Sequence, residues 1–115
     1  MILKAPFCLP PGFLDAFGYP GSRRLVALYW EPSGDEACYE DGVSFACGLC
    51  DNWLYLDFIR QPQVSDWLDH HGINLGNSDA PADHWLIVDT QTNALFVAPE
   101  RQAQGIVRSQ QLPKW

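Results

Sequence analysis

Asn52–His71, NWLYLDFIRQPQVSDWLDHH, is the stretch on which a reading of this chain turns. Trp53 to Ile59 is apolar at every position except Asp57, and its Trp, Tyr, Phe and Ile residues favour strands. A nearly continuous apolar run of this kind predicts a central strand covered on both faces. Pro62 then suits the first position of a helix, because its φ is fixed and it has no N–H to leave unpaired. Val64, Trp67, Leu68 and His71 fall at i, i+3, i+4 and i+7 and make one helical face, with Asp66, Asp69 and His70 on the other. Gly72 stands where a left-handed C-cap is expected. The stretch therefore predicts a strand followed by a helix.

Working outward, the same order recurs later in the chain. Asn52 to Gln63 reads NWLYLDFIRQPQ, and Asn93 to Gln104 reads NALFVAPERQAQ. His84–Asp89 and Ala94–Ala98 flank the four-residue link Thr90–Asn93, which predicts a β-hairpin. Pro99 opens a final helix with Glu100 in its first turn, where the helix dipole favours an anion. Ala103, Ile106 and Val107 form its apolar stripe, and Arg101, Gln104, Arg108 and Gln111 its polar face. Upstream, Arg23–Glu31 (RRLVALYWE) and Val43–Cys50 (VSFACGLC) read as strands, with an acidic loop between them and a turn at Pro32-Ser33-Gly34. The parallel between the two units suggests a ββα repeat. The expected fold is α+β: an antiparallel sheet of about five strands with two helices on one face.

At 115 residues the chain has room for one domain. Residues 1–22 read as a Pro-rich N-terminal arm packed on that domain, with Phe7, Phe13 and Phe17 as anchors, and residues 23–115 as the single α+β domain itself. Pro6, Pro10 and Pro11 interrupt any leader-like apolar segment, and no run approaches the ~18 apolar residues of a membrane span. A cytoplasmic location with no membrane partner is the resulting expectation.

The formal net charge is −7, and Glu31–Asp89 carries all but two of the acids with Arg60 as its sole base. Such a middle repels phosphate backbones, so nucleic acid is not expected as a ligand. Glu31, Asp35, Glu36, Glu40 and Asp41 concentrate this charge in what reads as an exposed loop, while Arg101 and Arg108 mark a small basic face on the last helix. Together they are the candidate partner-binding residues, either for another protein or for a second copy of the chain.

Cys47-Gly48-Leu49-Cys50 forms a C-x-x-C with Cys38 nearby. A redox motif wants its first Cys at a helix N-terminus or beside a cation, whereas this one runs into Asp51. Zinc wants four ligands; Cys38, Cys47 and Cys50 offer three, and a regular strand would send Cys47 and Cys50 to opposite faces. The reading is therefore no metal and no cofactor, with free thiols and no disulfide framework. His70 and His71 point about 100° apart on one helix and cannot share an ion; they and His84 read as structural. Phosphate-binding loops, nucleophile elbows and H-E-x-x-H are lacking. The function expected is a small acidic interaction or regulatory domain that self-associates. Two other classes stand beside it: a zinc-stabilised domain using Cys38, Cys47 and Cys50, and an enzyme whose site is scattered along the sequence.

Overall fold

The computed structural model describes residues 1–31, 36–48, 52–77 and 79–113. Its elements in chain order are β1 (Leu3–Cys8), α1 (Phe13–Phe17), β2 (Leu25–Glu31), β3 (Glu36–Glu40), β4 (Phe45–Cys47), α2 (Asn52–Ile59), α3 (Pro62–His70), β5 (His84–Asp89), β6 (Ala94–Pro99) and α4 (Glu100–Ser109). The strands form one antiparallel sheet in the order β1-β6-β5-β2-β3-β4. The α+β class and the antiparallel sheet are as the sequence predicts, with six strands in place of about five. Two of the six were not expected as strands: β1, which the prolines had assigned to an arm and which pairs along β6 at the sheet edge, and β3, which falls in the expected acidic loop.

The main correction concerns Asn52–Ile59, which is helix, not a central strand. Tyr55, Leu56 and Phe58 are buried, Leu54 and Ile59 half-buried, and Trp53 and Asp57 exposed. Among its described side chains the exposed ones, Trp53 and Asp57, stand four residues apart on one strip of this helix. Burial around most of the circumference removes the polar–apolar period by which a helix is recognised, and a short apolar run then reads equally as a strand. The ββα repeat fails with it, because Asn52–Ile59 is helical while Ala94–Pro99 is extended.

The helix after Pro62 forms as expected, burying Val64 and Leu68. Gly72 (φ 64°) ends it, and the Ile73 amide reaches back to the Leu68 carbonyl at 2.9 Å. The hairpin of β5 and β6 forms in full register from His84↔Pro99 to Asp89↔Ala94. The placement of the helices differs from expectation: they cover both faces of the sheet. On one face α1, α2 and α3 pack over Val26, Leu28, Trp30, Leu86, Val88, Leu95 and Val97. On the other, α4 lays Ala103, Ile106 and Val107 over Leu25, Ala27, Ile87, Phe96 and Ala98. This double cover explains why β2 is buried from Leu25 to Trp30 without alternation.

The first face is rich in rings. Phe58 meets Phe7 and Phe13 at centroid distances of 6.2 and 5.2 Å, and Tyr55 meets Phe17 edge-on at 5.8 Å. Residues 1–22 thus contribute a strand and a helix to the core.

Candidate functional site

The described part of the acidic segment is mostly strand where a loop was expected. Glu36–Glu40 is a full strand paired with β2 from Ala27↔Glu40 to Glu31↔Glu36, while Asp35 lies outside the described residues. The alternation of a strand puts Glu36, Cys38 and Glu40 on one face. Cys38 packs in the α4-side core, so that is the face the carboxylates share. Glu31 stands directly opposite Glu36, a like-charge pairing that disfavours the sheet by itself.

Asp41 departs furthest from the exposed role assigned to it, with 1% of its surface accessible. One carboxylate oxygen accepts from the Val43 and Ser44 amides at 2.9 and 2.7 Å, shaping the β3–β4 turn, and the other accepts from the Tyr19 hydroxyl at 3.0 Å. Burial by itself pushes this carboxyl up, but those donors and the nearby Arg23 charge carry it below the usual carboxylate range. The same burial, with Asp41 beside it, raises the Tyr19 phenol to about 12. Asp41 is a structural anchor.

The turn it shapes lies against the end of α4. Gly42 (φ 92°) comes so close that a Cβ there would sit 2.5 Å from the Val107 carbonyl oxygen. Gln110 secures the approach: its side-chain carbonyl accepts from the Leu25 amide at 2.8 Å, and its NH₂ donates to the carbonyls of Leu25, Val107 and Asp41.

Since α4 covers β6, β5 and β2, the β3–β4 end of this face lies beyond it. A groove of about 420 Å³ opens there, between α4 and the β3–β4 hairpin. Its floor is Tyr29 and Trp85, stacked at 4.0 Å and 6°. Glu31, Glu40 and Glu100 line it, with Arg108. At its mouth stand Val43 and Phe45, 76% and 62% exposed. Burial pushes the Tyr29 phenol up, and the charges of Glu40, Glu31 and Glu100 push it further in the same direction.

No protein-family model, curated protein or solved structure matches this chain.

Of the residues singled out in the sequence, the groove gathers Glu31, Glu40 and Arg108; Glu36 lies on the same face, nearer Gly48. Arg101 is exposed and is not part of the lining. Tyr29, Val43, Phe45, Trp85 and Glu100 were missed. Only the burial pattern of β2 and β5 and the α4 contact make neighbours of them.

The cysteines are also corrected. Cys38 and Cys47 face one another across β3 and β4 and are joined in a disulfide. In this state neither is a thiolate for zinc, and Cys50 lies outside the described residues. Cys8 is free and exposed. Among the described residues no three His, Cys, Asp or Glu side chains are grouped to hold a metal ion. No described helix is long and apolar enough to cross a membrane.

Proposed function

We propose that the protein is a small interaction domain, and that the groove between α4 and the β3–β4 hairpin takes a basic segment of a partner protein. The observation that carries this reading is the pairing of exposed Val43 and Phe45 with a groove lined by Glu31, Glu40 and Glu100. Large apolar side chains clustered on a surface and rimmed by polar groups are the usual mark of a contact site. Carboxylates around them select the sign of the partner and speed its encounter.

Selection from a random peptide library displayed on phage tests the proposal. Enrichment of sequences combining Lys or Arg with apolar residues is expected. Their binding should weaken in salt, because exposed charges are screened within ~8 Å at physiological ionic strength. Binding should also be lost in a Phe45→Ser, Glu40→Gln double variant. If nothing is enriched, or if the selected peptides bind that variant equally well, the groove is not a docking site.

A further inference from the structure

The two edges of the sheet are built differently. β1 carries Lys4 and Pro6, and its register with β6 slips between Lys4 and Cys8. A charge, a proline and a bulge are three of the devices by which natural sheets keep other strands from adding to an edge, a very short edge strand being another. β4 closes the other side of the sheet and has only its three-residue length, with no charge, proline or bulge. The stretch Val43–Gly48 reads VSFACG, without charge or proline.

The hydrogen-bond alternation shows which groups this edge presents. The Asp41 amide donates to the Ser44 carbonyl at 3.2 Å, and Tyr39↔Ala46, two residues along, is the next pair of the same type. The intervening pairs, Glu40↔Phe45 and Cys38↔Cys47, are of the other type; Cys38 and Cys47 have Cα atoms 4.0 Å apart, the close spacing of a pair that exchanges no backbone bonds. The N–H and C=O groups of Phe45 and Cys47 therefore point away from β3, out of the sheet.

We propose that an extended segment of a partner protein, with Lys or Arg alternating with apolar residues, adds to the sheet as a strand beside β4. The inference rests on the interaction reading above and specifies its mode. Phe45 and Cys47 supply the backbone partners. On the α4-side face, a Lys or Arg of the added strand lays its aliphatic stem over Phe45 and carries its charge towards Glu40 and Glu36. Charge decides against a second copy as occupant: two chains of net charge −7 would set their glutamate-bearing faces side by side. β4 is three residues long, so few backbone bonds form and the charged side chains must supply the rest of the affinity.

The test uses the whole oxidised chain, ¹⁵N-labelled, titrated with a short capped peptide of alternating lysine and valine. Two further peptides carry N-methyl groups on the amides of one edge or of the other. Binding should protect the Phe45 and Cys47 amides from hydrogen exchange. Methylation of one edge should weaken binding by about tenfold or more, because donors are lost and carbonyls left unpaired, while methylation of the other edge should not. Equal binding of all three peptides would overturn strand addition and leave the groove reading intact. So would failure of the alternating peptide where library-selected basic peptides bind. Failure of both kinds of peptide would remove the interaction reading itself. Protection of the same two amides in the chain alone, with sedimentation showing a dimer, would make a second copy the occupant and overturn the proposal.

Discussion

Breaking the Cys38–Cys47 disulfide should weaken the fold by an amount set by the loop it closes. The two cysteines are nine residues apart in sequence. Loop-closure entropy for about ten residues gives roughly 9 cal/mol/K, or about 2.7 kcal/mol at 25 °C. Little offsets this on reduction, because Cys38 is fully buried and a buried thiol behaves as a small apolar group. A chain of 115 residues gains about 0.24 kcal/mol/K of entropy on unfolding at ~2.1 cal/mol/K per residue, so Tm should fall by about 10 °C. The assay is thermal unfolding followed by circular dichroism, with and without reductant, in a Cys8→Ser background that removes the exposed thiol. Peptide mapping of the unreduced sample should recover Cys38 bonded to Cys47. A Tm equal within ~2 °C in both states, with mapping proving the bond formed in one and broken in the other, would refute the loop-entropy argument. Recovery of Cys47 bonded to another cysteine would refute the pairing.

Four further outcomes are expected. Gly42→Ala should cost about 2–4 kcal/mol in urea denaturation, combining a left-handed backbone with a Cβ set against the Val107 carbonyl. Gly105→Ala should raise stability by about 0.5–1 kcal/mol, since a Cβ there meets nothing within 4 Å and the residue lies inside α4. Leu56→Ala should cost about 2–5 kcal/mol, as for other deeply buried leucines, and a loss below ~1 kcal/mol would mean that α2 is wrongly faced. The last concerns acid. The Arg24 guanidinium grips Asp89 through Nε and Nη2 and, against the cost of burial, holds its carboxyl below the usual range. A depressed carboxyl gives stability that is fully present above the unfolded pKa of about 4 and is lost as pH falls through the folded value. Urea midpoints should therefore drop below about pH 4, and Asp89→Asn should start lower and show a shallower drop.

Much of the fold could be read from local pattern. The hairpin of β5 and β6, the helix opened by Pro62 and ended at Gly72, and the final helix after Pro99 each depend on residues close together in sequence. Their signals were turn formers, caps and a 3.6-residue stripe, which act within a few positions. The candidate site was half visible, because Glu31, Glu40 and Arg108 stood out by charge alone. Their aromatic and apolar companions did not, since Tyr29, Trp85 and Phe45 look like ordinary strand residues until β2, β5 and β4 are set side by side.

By itself, then, the sequence determined the α+β class, both ends of α3 and the start of α4, and the acidic character of the middle segment. Tertiary structure decided the state of Asn52–Ile59, because a helix buried on most sides has no period to show and only packing chooses between helix and strand. It also decided that Cys38 meets Cys47, that Asp41 is buried, and that the Pro-rich start of the chain supplies an edge strand. Each of these depends on which strands become neighbours, a choice made by burying apolar surface over the whole chain and not by any local stretch of it.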